Sequence, residues 1–411
     1  MNTEIEIMAP AGSWEALQAA IQGRANSIYF GIEQLNMRAR ASNNFTLEDL
    51  KEIAQICQEN NVKSYITLNT IIYNHDLSLM KRIVDTAQGA GITAIIASDQ
   101  AVINYVASQK MEVHISTQSN VTNIETVRFF AHFADVIVLS RELSLIQVKE
   151  ITKIIEKENI CGPSGNLVKI EIFAHGALCV AVSGKCYMSL HTSNSSANRG
   201  ACIQNCRRTY TLTDTESGHL FEVDNEYIMS PKDLCTIGFI DQIIDVGVTI
   251  LKLEGRGRAP EYVKTVTQCY REAADAYLNG SYNQEKVDTW LKRLKSVYNR
   301  GFWDGYYLGQ KLSEWAGVHG SKATRKKVFL AKGKRYFPRI QVAEFQMEAL
   351  QLKKGDQILI TGKTTGVIET TIEEIRVDNA QQKVVNKGDN FSIPLQETIR
   401  PGDKLYKVVD A

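Results

Sequence analysis

Short β-branched apolar runs alternate with amphipathic stretches through the first 280 residues. Residues 5–8, 27–31, 63–68, 93–97, 112–116, 136–139, 169–173 and 249–253 read as strands, each too short and too continuous for a helix. Residues 14–22, 47–59, 77–90, 99–108, 124–133, 144–157 and 260–278 read as helices. In 47–59 the apolar positions Leu47, Leu50, Ile53, Ala54 and Cys57 fall on one helical face, and Ser13 stands as a cap before 14–22. Eight strand–helix units in this order predict parallel strands joined by right-handed crossovers. A doubly wound sheet and a closed barrel share that pattern. Eight units within 1–280 favour an α/β (β/α)8 TIM-like barrel.

Two departures from the rhythm divide the chain. Residues 174–247 intervene between strands seven and eight, against about 30 residues in an ordinary unit. A loop of that length inside a compact domain is usually functional or stapled. Beyond 280 the alternation ends. Residues 281–325 read as a connector, a helix at 283–298 and then the Gly- and aromatic-rich NRGFWDGYYLG at 299–309. Short strands at 328–331, 336–342, 357–361, 367–377, 384–386, 391–394 and 404–408 then predict a small antiparallel β-barrel over 326–411, with turns at Lys354-Gly355-Asp356 and Pro401-Gly402-Asp403.

In a barrel the loops after the strands gather at one face. Polar residues follow several predicted strands: Asn69, Asp99, Gln118, Asn120, Arg141, Glu142, Glu254 and Arg256, with Arg38 and Arg40 after strand two. Any one of them could simply cap the next helix; a ring of them points to a site. Net charge is +1, with 44% hydrophobic and 23% charged residues, as in an ordinary globular protein. A uniformly basic nucleic-acid binder is excluded, so any RNA contact must rest on a local patch. Two are present: Arg207 with Arg208, and the run Lys322, Arg325, Lys326, Lys327, Lys332, Lys334, Arg335 and Arg339. No apolar run has membrane-spanning length, and the N-terminus lacks a signal-peptide pattern, so a cytoplasmic location is expected.

In a reducing compartment eight cysteines suggest metal ligands or buried thiols rather than disulfides. Four fall in the long interval: Cys179, Cys186, Cys202 and Cys206. Only Cys202 and Cys206 have the close spacing of a zinc knuckle. Widely spaced thiols on an irregular loop fit an iron–sulfur cluster better, with zinc and unligated thiols as alternatives. Cys235 is a rival fourth ligand; otherwise it belongs to the first turn of a helix at 232–246, thiol inward. Cys57 and Cys269 sit on apolar helix faces as core residues, and Cys161 has no evident partner. His175, between strand seven and the first of these cysteines, is a candidate for proton transfer. No G-x-S-x-G or H-E-x-x-H occurs, and Cys179 with His175 is the one local thiol–imidazole combination a peptidase could use.

The run from Glu171 to Ser189, EIFAHGALCVAVSGKCYMS, resembles the signature of the collagenase-like peptidase family U32. APAG at 9–12, YFG at 29–31, HISTQSNVTN at 114–123, KLEGR at 252–256, GACIQNCRRTY at 200–210 and SPKDLC at 230–235 are similar to the same family, the last two to its tRNA-hydroxylating branch. That resemblance implies an enzyme, with a four-iron–four-sulfur cluster on Cys179, Cys186, Cys202 and Cys206 rather than Cys235. It implies oxygen-independent hydroxylation of the wobble uridine of tRNA to 5-hydroxyuridine, with prephenate as hydroxyl source. Implied partners are tRNA and iron–sulfur assembly proteins. His175, Glu254 and Arg256 are then candidate catalytic residues. Asn69, Gln118, Arg141, Arg207 and Arg208 are candidate substrate contacts. The alternatives are a collagenase-like peptidase, and an RNA-binding protein whose cluster is structural.

Overall fold

A computed structural model describes residues 4–40, 44–221, 229–310, 314–317 and 320–411. Seven strands in chain order, Glu6–Pro10 (β1), Ser27–Phe30 (β2), Lys63–Leu68 (β3), Ala94–Ala97 (β4), Glu112–Ile115 (β5), Val136–Val138 (β6) and Lys169–Ala177 (β7), pair as parallel neighbours. The eighth, Ile250–Leu253, pairs in parallel with both β7 and β1. Ile250 stands opposite Glu6 on one side and Glu171 on the other, so the sheet closes. That closure decides between the two architectures the pattern allowed: the fold is the (β/α)8 barrel.

Helices form where the apolar spacing placed them, and each turns its apolar stripe onto the strands. Leu50, Ile53, Ala54 and Cys57 of Leu50–Glu59 are all buried, and removing such side chains from water stabilises the barrel by about 1.5–3 kcal/mol for each large one. Ser13 caps Trp14–Gln22 by accepting from the Ala16 amide. Inside the barrel the packing differs. Met8, Tyr29, Tyr65, Ala94, Ile96, Val136 and Ile250 make a separate small core, and charged residues fill the rest of the lumen. Glu6 accepts from Lys63 at 3.0 Å and from Tyr65 at 2.8 Å. Lys252 donates to Glu171 at 2.6 Å, and His114 meets Glu112 at 2.9 Å.

β7 is longer than expected, and it carries a bulge. Lys252 stands opposite Phe173, but the next residue, Leu253, stands opposite His175, so Ala174 has no opposite number. One extra residue reverses the in–out alternation. Glu171 and Phe173 face the lumen; His175 turns outward to the helix layer. Past the bulge, Asp233–Cys235 runs antiparallel to the end of β7, with Cys235 opposite His175, and Phe302–Trp303 pairs with Asp233–Cys235. The helix expected at 232–246 is therefore this strand followed by the short helix Ile240–Asp245. The amide of Thr236 donates to the Ala174 carbonyl, a long-range bond that outweighs the local helical preference.

The antiparallel β domain after the connector has an eight-stranded sheet and a two-stranded one, Gln351–Lys353 with Val384–Asn386, around a single apolar core. Arg325–Phe337, expected as two shorter strands, is continuous and bends at two bulges. The stretch 367–377 is two strands, Gly366–Thr371 and Ile375–Val377. This sheet is joined to the barrel. Leu359, Val367, Tyr406 and Val408 pack into the barrel's own core. Gln22 bonds the carbonyl of Thr365 and the amide of Val367, and Lys264 donates to the Val367 carbonyl at 2.8 Å. Among the described residues no helix is long and apolar enough to cross a membrane.

Candidate functional site

The insertion after β7 folds over the C-terminal mouth of the barrel as an irregular cap. It holds the helix Met188–Ser193, single turns at Ala197–Arg199 and Asn205–Arg207, and the hairpin Leu212–Thr213 with Leu220–Phe221. Between cap and mouth lies a bowl of about 250 Å³, whose lining includes Cys179, Cys202, Cys206, Arg38 and Glu254. Solvent reaches Cys179, yet its side chain lies deep among protein groups. Burial alone would raise its thiol. Arg141 beside it, then Arg38 and Arg207, bring it below the ordinary cysteine value. Cys206 is raised by burial, eased by Arg207 and raised further by Cys179, Cys202 and Cys186. The four thiols thus share one electrostatic neighbourhood. Cys235 stands apart: it is buried in its strand, Tyr270 is its hydrogen-bonding neighbour, and burial pushes it up to about 12. Among the described residues no three His, Cys, Asp or Glu side chains converge on a single-ion position.

Around the thiols the charge is lopsided. Arg38, Arg207, Arg258 and Arg300 line the bowl, and Glu254 is the one carboxylate in the lining. Glu254 pairs with Arg38 at 3.1 Å. Burial would raise its carboxyl, but Arg38, Arg258, Arg256 and Arg141 hold it below the usual range, so it is ionised. Arg300 has its own partner, Asp233, at 3.2 Å. Arg141 donates to Ser183 at 2.9 Å and lies over the Phe173 ring, while its Nε is buried without a partner.

Arg256 lies beneath the bowl rather than in its wall. It donates to Asn36 at 3.1 Å and to Thr67 at 2.9 Å, and burial brings it down to about 10. Two glycines make room for it. A Cβ on Gly12 would lie 1.8 Å from the Arg256 carbonyl oxygen, and one on Gly31 would lie 2.4 Å from its Nη1. The motifs APAG, YFG and KLEGR, far apart in sequence, therefore meet at this one residue, the first on its backbone and the second on its guanidinium.

The other expected site residues have different fates. His175 packs behind the bowl among Tyr262, Tyr270 and Phe302, 3.3 Å from the Tyr270 hydroxyl. Burial pushes its imidazole down to about 3. It does not line the bowl, because the bulge turned it outward. Asn69 bonds Ser116 and the Met37 amide, tying the loop after β2 to β5. Gln118 lies under the cap at Gly184, its Oε1 buried with no partner. Arg207 holds the cap in place, donating to the carbonyls of Leu178 and Pro231 and to Ser230. Arg208 is exposed outside the lining. The basic run from Lys322 to Arg339 splits: Arg325, Lys326 and Lys327 face a cleft toward the barrel, while Lys332 pairs with Glu348 on the sheet. Sequence reading missed Arg258, Arg300 and Asn36. The first two sat in view, next to KLEGR and inside NRGF; Asn36 carried no signal.

Fold and site together define a (β/α)8-barrel protein whose C-terminal mouth carries a capped, thiol- and arginine-rich bowl. The chain belongs to peptidase family U32, whose sequence profile matches residues 12–317. It is 56% identical over 404 residues to a protein of Porphyromonas gingivalis named Collagenase, covering 98% of each chain. It is 31% identical over 379 residues to tRNA hydroxylation protein P1 of Bacillus subtilis, covering 90% of this chain and 86% of that one. It is 33% identical over 275 residues to the 23S rRNA 5-hydroxycytidine C2501 synthase of Escherichia coli, covering 67% of this chain and 40% of that one.

Proposed function

We propose that this chain is an RNA-modifying enzyme that hydroxylates the wobble uridine of tRNA to 5-hydroxyuridine without oxygen. A four-iron–four-sulfur cluster on Cys179, Cys186, Cys202 and Cys206 and a dicarboxylate hydroxyl donor such as prephenate complete the reading. The observation that carries it is the bowl: Cys179, Cys202 and Cys206 in one lining beside an excess of arginines, with Cys186 near enough to act on Cys206. Relatives named for tRNA and rRNA hydroxylation share the barrel that builds it.

The residues present fit such a group. A thiolate-ligated cluster and a dicarboxylate are both anionic, and a wall of four arginines against one carboxylate suits anions. Arg141 holds Cys179 toward the thiolate that ligation requires. Glu254, kept ionised, fixes Arg38 at the rim. The cap covers part of the mouth, and where it removes water it strengthens these interactions. The cluster, when bound, supplies one-electron chemistry tuned by its surroundings.

A second reading, a peptidase, is favoured by the names of relatives, among them Collagenase on the 56% identical one. It requires a nucleophile with a base in contact. The imidazole nearest in sequence to Cys179 is His175, and that ring is turned away, packed on Tyr270 and Phe302.

The test is mass spectrometry of tRNA from a strain lacking this chain. 5-Hydroxyuridine should disappear and return on complementation; an unchanged level overturns the proposal. Iron and sulfide analysis of anaerobic protein addresses the cluster. Cys206→Ser should lose iron and Cys235→Ser should keep it, and the opposite pattern would move the fourth ligand to Cys235.

A further inference from the structure

A cleft of about 670 Å³ separates the start of the helix Pro260–Leu278 from the C-terminal sheet, and it meets the bowl at Gly257 and Arg258, which line both. In a chain of net charge +1, this cleft presents six cationic side chains and two carboxylates. Four of the cations have partners: Lys327 pairs with Glu261 at 2.9 Å, Arg293 with Glu272 at 2.5 Å, Arg325 stands 3.9 Å from Glu369, and Lys264 donates to the Val367 carbonyl. Lys326, exposed on the same strand, has no ion pair among the described residues. Neither has Arg258, whose guanidinium lies 3.6 Å from the centroid of the Tyr298 ring. The bowl can accept one base but not a stacked duplex, so a nucleotide reaching it must be unpaired. The strand on either side of that nucleotide needs somewhere to go, and the positive cleft adjoins the bowl at Gly257 and Arg258.

We propose that this cleft holds the sugar–phosphate backbone of a single-stranded RNA segment, with Lys326 on its phosphates and the Arg258–Tyr298 stack at the neck where the segment turns into the bowl. This rests on the RNA-modifying reading and adds to it a path for the substrate. Cationic grooves with an aromatic face are the common means of holding single strands. The shared core and the Gln22 and Lys264 bonds keep the cleft walls at a set separation.

The test uses the full chain with two probes, a labelled single-stranded oligouridine and an unmodified tRNA transcript, titrated across salt concentrations. Lys326→Gln should weaken both several-fold and flatten the log–log salt slope by about 0.7, the value for one single-strand phosphate contact. Arg258→Gln should weaken both as well. Lys157→Gln, an exposed lysine on the helix Leu145–Glu158 that lines neither cavity, should change neither. If Lys326→Gln binds like the natural protein while that protein still forms 5-hydroxyuridine, the cleft assignment falls and the modification reading stands. If the natural chain binds neither probe and deletion leaves the tRNA unchanged, both fall. A duplex bound as tightly as the single strand overturns the single-strand path.

Discussion

The lumen of the barrel and its mouth are both rich in charge, and they treat it differently. In the lumen each lysine has a carboxylate: Lys63 with Glu6 at 3.0 Å, Lys252 with Glu171 at 2.6 Å. At the mouth the arginines outnumber their carboxylates. Arg256 and Arg141 make hydrogen bonds to neutral groups, and no ion pair is found for either among the described residues. Desolvating a cation is expensive unless a partner or ligand restores what water gave. A neutralised network is therefore structure, whereas a buried surplus of one sign marks a place built for a partner of the other.

The largest expected effect is in the lumen. Lys252→Met leaves the fully buried Glu171 without its partner and should cost about 3–5 kcal/mol in urea unfolding. Adding Glu171→Leu should recover most of it. A single-variant loss under about 1 kcal/mol would erase the distinction between the regions.

An acid titration comes next, at the strand linking them. The His175 imidazole has its pKa pushed from the ordinary 6.5 to about 3 in the folded chain. Between those values the unfolded chain binds the extra proton. Stability is thus complete above about pH 6.5 and declines toward pH 3, on the order of 1.4 kcal/mol per unit. His175→Gln should lose that part of the acid slope in melting curves; an unchanged slope would mean the ring is reached by protons in the native state.

At the mouth, Arg256→Met should leave stability within about 1 kcal/mol, because removing a buried cation offsets two lost hydrogen bonds. It should nevertheless abolish 5-hydroxyuridine formation. A stability loss as large as that of Lys252→Met would place Arg256 with the structural charges. Least of all, Arg128→Ala on the surface, which meets Glu125 and Glu158, should shift neither the unfolding midpoint nor the modification.

These contrasts also explain what could be read from the chain. Strands and helices of the barrel follow local periodicity, and so does the inward packing of Cys57 and Cys269, both buried. That Cys179, Cys202 and Cys206 come from one irregular loop is legible as spacing; that they line one bowl is not. What resisted reading depends on partners distant in sequence. Asp233–Cys235 is a strand because β7 offers it an edge about sixty residues earlier in the chain. Arg325–Phe337 reads as two strands because its bulges interrupt the alternation that marks a single one. That Arg207 lines the bowl and also ties the cap to the carbonyls of Leu178 and Pro231 could not be read from its position in the chain. His175 is the sharpest case. A count of two places it beside Glu171 and Phe173 in the lumen, and only the register against Leu253 shows otherwise.

The weld between barrel and sheet reaches further than stability. With Leu359 and Val367 in the barrel's core and Tyr406 and Val408 packed against it, the two jaws of the cleft are tied through one core. Closing on a guest would mean tearing that core open. On the proposed reading, any adjustment on binding falls to the guest, and the protein would select among the shapes a flexible loop already visits. It would act as a gauge rather than a clamp, testing whether a loop fits before chemistry begins.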